Sequence, residues 1–294
     1  MKNLLRLKRK LWILLLLPVF MGFTSDDKPA YRFYTADGKP IGYQQMITLI
    51  STADVVFFGE LHNNPICHWM ELEMAMDLWK QDSTAWFFGA EMFETDQQLI
   101  LDEYLTGQIR DRDFESGTKL WDNYKTDYKP LVSFAAAKKT PFIATNVPRR
   151  YAALVNQKGF ESLENLSASA RAYLPPLPVP YDPELPGYKA MAQMGSGAMH
   201  ANNNLPKAQA IKDATMAWFI AKNLTQGKKM LHFNGSYHSD GREGIVWYLN
   251  QYKPGLKIVT ITTIEQESLN ALDSAAFNKA DYIMTVQENI TKSY

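Results

Sequence analysis

The sequence predicts an α/β fold: a mainly parallel β-sheet with helices on both faces and a helical or irregular lid insertion. Short apolar runs rich in Val, Ile and Phe alternate along the chain with stretches of helical spacing. Continuous apolar runs of this length are typical of strands buried on both faces. Their alternation with helices favours a parallel sheet that is covered on both sides. The runs occupy residues 54–59, 85–90, 141–145, 230–234, 257–262 and 282–286.

Three segments between these runs have the periodicity of helices. Residues 65–79 follow Asn64, and an Asn cap with Pro65 in the first turn is typical of a helix start. Residues 206–224 place small and apolar side chains along one side, and residues 245–252 form the third segment. We therefore predict a helix in each of these gaps between strands.

Two regions, about residues 95–135 and 160–205, interrupt the alternation. The first has helical spacing at residues 97–104 and 134–139 with a loop between them. The second begins helically and continues into a Pro-rich and then a Gly/Met/Asn-rich piece. Loops of this length often cover a binding site, although a surface insertion fits the pattern equally well. We expect a single domain over residues 25–294 with two lid-like insertions.

Residues 1–24 predict a secretory signal peptide. The first ten residues contain five Lys and Arg and no acid, and an apolar run of 13 residues follows at 11–23. That run is shorter than the roughly 20 residues of a membrane-spanning helix, and the small residues after it suit a cleavage site. An uncleaved anchor is the alternative, with membrane contact only through the leader. Cys67 is the only cysteine, so a lipoprotein is excluded; we expect an exported protein, periplasmic or at the cell surface.

The charge balance excludes a typical nucleic-acid binder. The formal net charge is zero, but without the leader 26 basic and 31 acidic residues remain, a net charge of −5. A mildly acidic chain without basic runs lacks the electrostatic footprint of such proteins. One cysteine also excludes an internal disulfide, so stability must come from a core. The 7 Trp, 15 Tyr and 15 Phe would serve that core or a flat hydrophobic ligand equally well.

The strongest local pattern begins where the first predicted strand ends. Glu60 and His62 follow that strand directly, at the edge where open α/β sheets bind ligands. Because they are two residues apart in an extended segment, their side chains point the same way. His68 falls near the start of the next helix and could turn back toward His62. A capping histidine and a salt-bridged glutamate are the plainer interpretation of the same residues.

Glu91 follows the second predicted strand. A carboxylate at the end of a buried apolar strand is costly unless it is paired or coordinates something. Glu91 is therefore a candidate functional residue, and a partnership with a nearby Lys or Arg is the alternative.

The strand at residues 230–234 is followed by a polar segment that contains Tyr237 and His238. Both side chains could reach the same edge of the sheet as Glu60 and Glu91. His232 lies inside the strand and is more typical of a core histidine with its hydrogen bonds satisfied.

The third strand is followed by Asn146 and Arg149. A guanidinium at this position suits a carboxylate or a propionate. The alternative for Arg149 is an ion pair with a structural acid such as Asp213.

Four strand ends thus carry polar side chains that could converge. Two glutamates and two histidines, Glu60, His62, Glu91 and His238, could act in catalysis or serve as ligands of a divalent metal. The sequence has no Gly-x-Ser-x-Gly elbow, no P-loop and no Gly-x-Gly-x-x-Gly motif. We interpret Cys67 as a small hydrophobic residue and not as a nucleophile.

Residues 52–262 contain an ordered series of motifs: Gly59-Glu60-x-His62-x-Asn64-Pro65-x-x-His68, Glu91-Met92-Phe93, Trp121 with Tyr124 and Tyr128, Asn146-x-Pro148-Arg149, Ala208-Gln209 with Asp213-x-x-Met216-Ala217, and Asn234-Gly235-x-x-His238 before Gly244. This series resembles the ChaN-like family, which is similar to the wider Tiki and erythromycin-esterase superfamily. The resemblance implies an exported bacterial haem-binding protein linked to iron uptake. In the wider superfamily, Glu and His at equivalent strand ends serve metal-dependent or general-base hydrolysis.

The resemblance also implies haem ligation by a tyrosine and a pair of haems at a dimer contact. Candidate tyrosines are Tyr181, Tyr188 and Tyr237, and His68, Asn146 and Arg149 are candidate haem contacts. The chain departs from the family in lacking the lipoprotein cysteine and in the spacing between Gly235 and His238. Three hypotheses follow: a haem-binding protein, a metal-dependent or Glu/His-assisted hydrolase, and a binding scaffold without catalysis.

Overall fold

The computed structural model describes residues 28–195 and 204–294, apart from the side chains of residues 194 and 195. The predicted signal peptide at residues 1–24 lies outside the described residues. So does the Met/Asn-rich end of the second predicted insertion, residues 196–203.

The centre of the fold is a mixed, mostly parallel sheet, which confirms the predicted α/β class at that level. In the described residues its eight strands run in the order β2-β1-β8-β7-β3-β6-β4-β5. All neighbouring pairs from β8 to β5 are parallel, and β1 pairs antiparallel with β8 and β2. The strands are β1 Tyr31–Thr35, β2 Pro40–Ile41, β3 Val55–Glu60, β4 Trp86–Glu94, β5 Phe142–Asn146, β6 Lys229–Gly235, β7 Ile258–Gln266 and β8 Tyr282–Gln287.

Helices connect the strands and build the two outer layers. They are α1 Tyr43–Ile50, α2 Pro65–Gln81, α3 Gln98–Leu105, α4 Asp111–Gly117, α5 Lys129–Lys138, α6 Arg149–Lys158, α7 Ala168–Arg171, α8 Pro186–Gly195, α9 Leu205–Asn223 and α10 Gly244–Tyr252. The three helices predicted between strands are present as α2, α9 and α10. Asn64 caps α2 as predicted, since its side chain accepts a hydrogen bond from the amide of Ile66 at 3.0 Å.

Both faces of the sheet are buried, and the alternation of side chains along β3 shows how. Val56 and Phe58 point into a core formed with α1 to α5. Val55 and Phe57 point into a second core formed with α6, α9 and α10. Because successive residues of a strand face opposite sides, a strand between two cores must be apolar at every position, which explains the unbroken runs in the sequence.

Each of the two predicted insertions adds to one of the cores. Leu101, Phe114 and Leu131, from residues 95–135, belong to the core with α2. Leu163 and Leu174, from residues 160–205, belong to the core with α9. Both segments are therefore anchored by buried apolar side chains. No helix in the described ranges is both long and apolar enough to cross a bilayer.

Replacing Gly59 in β3 by Ala is expected to lower the free energy of unfolding by about 1–3 kcal/mol, the usual cost of overpacking. A Cβ at this position would lie 2.9 Å from both the carbonyl oxygen of Ile261 and the Cα of Ser236, and backbone atoms cannot move aside. Gly42→Ala is the matched control, because a Cβ there meets nothing within 4 Å. Urea denaturation of both variants measures the difference, and equal stabilities would show that β3 and β7 separate easily at this point.

Candidate functional site

The candidate site lies at the carboxyl edge of the three neighbouring strands β3, β6 and β4. Glu60 ends β3 and pairs in register with Gly235, which ends β6. His238 follows in a short 3₁₀ turn, Ser236–His238. Glu91 lies in β4, at a shift of register between Ala90 and Glu94. Irregularities of this kind redirect side chains at the rims of sheets, and here the irregularity lies at the residue predicted to be functional.

Glu60 orients His62. Its Oε1 atom lies 2.5 Å from Nδ1 of His62 and accepts a hydrogen bond of 2.7 Å from the hydroxyl of Tyr128. Glu60 is buried, whereas the side chain of His62 is 36% exposed. Because the carboxylate occupies Nδ1, the Nε2 atom of His62 is the nitrogen left to face the crevice.

Gly235 makes room for this imidazole. A Cβ on Gly235 would lie 2.7 Å from Nε2 of His62 and 3.5 Å from Oε2 of Glu91. Gly235 therefore lies between the Glu60–His62 pair and the Glu91–His238 pair and lets the two pairs approach each other. The ring of Trp121 packs against His62 in a T-shaped contact, with ring centroids 4.9 Å apart.

Glu91, His238 and Asp213 form a second, fully buried group. Nε2 of His238 lies 3.1 Å from Oε1 of Glu91, and Nδ1 lies 2.5 Å from Oδ1 of Asp213, a residue of α9. The amide of Gly235 donates to Oε2 of Glu91 at 2.8 Å, and Tyr188 donates to Oδ2 of Asp213 at 2.7 Å. With a carboxylate on each ring nitrogen, His238 is held as an imidazolium.

The pKa values follow from these contacts. Burial alone lowers the pKa of His238, but the charges of Glu91 and Asp213 outweigh it and raise the pKa to about 10. Burial likewise raises the pKa of Glu91, but the charge of His238 outweighs it and lowers the pKa to about 2. Burial raises the pKa of Glu60 too, yet the hydrogen bond from His62 and the positive charge of His68 bring it below its usual range. Burial lowers the pKa of His62, and the hydrogen bond to Glu60 more than reverses this.

The structure therefore brings Glu60, His62, Glu91 and His238 to one edge of the sheet, although their roles remain predictions. The alternative that Arg149 pairs with Asp213 is wrong, because that carboxylate is taken by His238 and Tyr188.

Of the three candidate tyrosines, Tyr237 lines the crevice. It is 45% exposed, and its hydroxyl donates to the carbonyl of Gly187 at 2.5 Å. Tyr188 is buried with its hydroxyl on Asp213, and Tyr181 is half-buried against Phe160. These two rings pack in or against the second core and not in the crevice.

The remaining predicted contacts differ in their exposure. Arg149 is exposed at the crevice, and Asn146 is buried with its amide nitrogen 3.0 Å from the carbonyl of Glu91. His68 is buried beneath His62, and its Nε2 lies 3.0 Å from the carbonyl oxygen of His62. His68 thus turns back toward His62, but it reaches the backbone and not the crevice.

His232 is a core histidine, as the sequence predicts. It is fully buried, with Nε2 at 2.8 Å from the hydroxyl of Thr145 and Nδ1 at 3.1 Å from Oδ1 of Asn234. Burial lowers its pKa to about 4, so the ring is neutral near pH 7. Cys67 is buried as well, and burial raises the pKa of its thiol, consistent with a small hydrophobe.

The crevice itself consists of two adjoining pockets of about 570 and 580 Å³, which share His62, Glu91, Lys212 and Tyr294. Each is within the ~300–1,000 Å³ typical of small-molecule sites. Trp121 and Arg149 line one pocket, and Tyr237 and His238 line the other. Among the described residues, no carboxylate or imidazole lines a separate cavity of about 490 Å³ at the opposite edge.

The sequence analysis did not predict a functional role for several residues of the site. These are Glu71, Asp127 and Tyr294, and also Tyr128 and Asp213, which it named only as parts of motifs. Glu71 had a detectable signal, because it stands three residues after His68 on a predicted helix and so shares its face. Tyr128 had none of its own, since it reaches Glu60 across 68 residues of sequence.

The model of the haem-binding uptake family ChaN, of the Tiki superfamily, matches residues 46–249. The chain belongs to this family. No curated protein sequence matches it.

Solved structures of other proteins are similar in fold to this chain. ChaN of Campylobacter jejuni, described with cofacial haem binding, is 19% identical with a TM-score of 0.66, covering 87% of this chain and 97% of that chain. An erythromycin esterase in its open conformation is 10% identical with a TM-score of 0.49, covering 90% and 85%. A Bacillus cereus protein is 10% identical with a TM-score of 0.48, covering 83% and 90%. The likeness to ChaN shows a shared fold.

Replacing His238 by Asn is expected to flatten the pH dependence of stability. The folded pKa of His238, about 10, lies above its ordinary 6.5, so its contribution is complete below 6.5 and is lost as the pH rises through 10. Glu91, with a folded pKa of about 2, contributes above 4.5 and loses this contribution as the pH falls through 2.

Urea denaturation between about pH 6 and pH 10 measures this effect. The wild type should lose on the order of 2 kcal/mol more than His238→Asn over that interval. His62 and His68 also have raised pKa values, but they are present in both proteins, so the difference isolates His238. Parallel pH profiles would mean that the ring is neutral in the folded protein.

Proposed function

We propose that this protein binds haem in the crevice at the carboxyl edge of the sheet and serves haem or iron uptake. Membership of a haem-binding family supports the proposal. The observation that carries it is the lining of the crevice, where phenol, indole and cationic side chains surround a cavity of small-molecule size.

The residues present fit a haem. Tyr237 and Tyr294 place phenols in the crevice, and tyrosinate is an established axial ligand of haem iron. Trp121 offers an aromatic ring, and Arg149 and Lys212 offer cations for two propionates. Bound haem would supply an iron centre for transport or storage, and the chain would supply its ligand, its orientation and its propionate contacts.

Tyr294 extends the set of candidate tyrosines. It is 66% exposed and lines both pockets, and the amide of the preceding Ser293 donates to the carbonyl of Asn63 at 2.9 Å. This hydrogen bond holds the segment beside the His62 loop. Tyr237 and Tyr294 are therefore the two phenols that a haem in the crevice can reach, whereas Tyr181 and Tyr188 are packed in the second core.

Haemin titration followed by the Soret band should show binding to the wild type and at least about tenfold weaker binding to the double variant Tyr237→Phe/Tyr294→Phe. The factor is a lower bound, because even partners behind a metal ligand contribute 10–100-fold to affinity. The two single variants then identify the ligand.

Tyr181→Phe is the control for this titration, since its ring packs outside the crevice. Tyr188→Phe is a poor control, because its hydroxyl supports Asp213. An unchanged Soret band in the double variant would exclude tyrosine ligation in the crevice, and no band shift in the wild type would exclude haem binding there.

A second candidate function is Glu/His-assisted hydrolysis, and the Glu60–His62 pair specifically favours it. A buried carboxylate 2.5 Å from Nδ1 leaves Nε2 toward a cavity, which is the arrangement of an oriented general base. A water molecule activated by His62 would attack an ester carbonyl next to the Glu91 group.

On this alternative, hydrolysis of a p-nitrophenyl ester should fall by about 10²–10⁴-fold in kcat/KM in His62→Ala. Tyr237→Phe should leave kcat/KM unchanged, whereas haem binding is expected to depend on Tyr237 and not on His62. Absence of turnover in the wild type, or equal turnover in His62→Ala, would refute this function while leaving haem binding open.

We further propose that the chain is exported, with residues 1–24 as signal peptide, and that it pairs with a second copy around haem. The basic start and short apolar run support export, and the open crevice would suit a ligand shared between two copies. N-terminal sequencing of the secreted chain tests the first point, and light scattering with and without haemin tests the second.

A further inference from the structure

The strongest feature that the proposed function leaves unused lies beneath the crevice. Glu60, His68 and Glu71 are all buried, and one donor atom from each lies within 4.8 Å of the other two. Nδ1 of His68 is 3.3 Å from Oε2 of Glu60 and 3.4 Å from Oε2 of Glu71. We propose that these three side chains form a buried site for a divalent transition-metal ion such as Zn²⁺.

The separations suit a shared ion. Zinc binds nitrogen and oxygen ligands at about 2.0–2.1 Å, and two ligands at a tetrahedral angle are then about 3.3–3.4 Å apart. Both contacts of His68 Nδ1 have this length. They are long for charge-assisted hydrogen bonds, which are typically about 2.7–2.9 Å. A mixed set of one imidazole and two carboxylates is also chemically suited to such ions.

Two carboxylate oxygens in the group have no hydrogen-bond partner in the described part of the chain. They are Oε2 of Glu60 and Oε1 of Glu71. Both glutamates are essentially inaccessible to solvent. Buried acceptors without partners are rare because each loses its hydration. The other oxygen of Glu60 is fully engaged by His62 and Tyr128, so the free atom is the one that faces His68.

In the described part of the chain, only imidazoles form ion pairs with the group. Three buried carboxylates, Glu60, Glu71 and Asp127, make ion pairs only with His62 and His68 among the described residues, and none with Lys or Arg. Buried carboxylates without matching positive charge are strongly unfavourable. A divalent ion would let Glu60 and Glu71 ionise side by side.

Residues behind His68 complete the arrangement that metal sites usually have. The second nitrogen, Nε2, lies 3.0 Å from the carbonyl of His62 and 3.3 Å from Oδ2 of Asp127. Metal-binding histidines typically donate this N–H to a carbonyl or carboxylate, which sets the tautomer and orientation of the ring. Asp127 lies in a single π-helical turn, Tyr124–Tyr128, and its Oδ2 accepts from Asn123 at 2.7 Å.

The site differs from the metal set predicted from sequence and does not depend on haem. It shares Glu60 with that set, but its other members lie on α2 and not at the strand ends. An ion on Oε2 of Glu60 would hold the carboxylate that orients His62, and so would support the crevice from below.

Equilibrium dialysis of the untagged, chelator-treated full chain against Zn²⁺, followed by elemental analysis, tests the proposal. We expect about one tightly held ion per wild-type chain, and at least about tenfold weaker binding in Glu71→Gln and His68→Gln. Co²⁺ used in place of Zn²⁺ should give visible absorption in the wild type that is lost in Glu71→Gln.

Two matched variants locate the ion. Glu73 lies on the same helix outside the group, and Glu91 lies in the crevice. The variants Glu73→Gln and Glu91→Gln should therefore both keep the ion. Thermal unfolding shows whether each variant is folded. If His68→Gln does not fold, the isosteric variant Glu71→Gln still tests the proposal. Retention of the ion in folded Glu71→Gln, its loss in Glu91→Gln instead, or no bound ion in the wild type would each overturn the proposal. Haemin titration is independent of these outcomes.

Discussion

Carboxylates buried at the rim of a parallel sheet are the constraint on which this structure depends. Glu60 and Glu91 end or interrupt strands that are apolar on both faces, so neither can be hydrated as it would be at a surface. Removing a carboxylate from water is tolerated only where charge and hydrogen bonds replace the lost solvent. The imidazoles of His62, His68 and His238 do this.

The two carboxylate–imidazole groups are chemically unequal. His238 has a carboxylate on each ring nitrogen and is buried, so it acts as a fixed positive charge between Glu91 and Asp213. His62 has a carboxylate on one nitrogen and an exposed edge, so its Nε2 is available to a ligand. The crevice therefore combines one partly exposed imidazole with a buried ion pair at its floor.

Sequence patterns located the strands well because burial on both faces leaves an unbroken apolar run. They missed β1, β2 and α1, where the chain runs along the antiparallel edge of the sheet and half-buried residues such as Arg32 and Thr35 interrupt the pattern. β4 continues to Glu94, past the predicted end, because the strand remains extended through the irregularity at Glu91. Helix α6 was missed because polar residues dominate Arg149–Lys158 and only one side, with Tyr151 and Val155, is buried.

The sequence by itself determined which residues carry charge at strand ends, because parallel strands bring their carboxyl ends to one edge whatever else the chain does. Glu60, His62, Glu91 and His238 could be selected on that basis. Only the tertiary structure decided their partners. Tyr128, Asp213 and Glu71 reach the site from helices or turns on either side of the sheet, and two of them do so across long stretches of chain. The physical reason is that local spacing governs which way a side chain points, whereas a buried charge is neutralised by whatever group the packing of distant helices brings within a few ångströms.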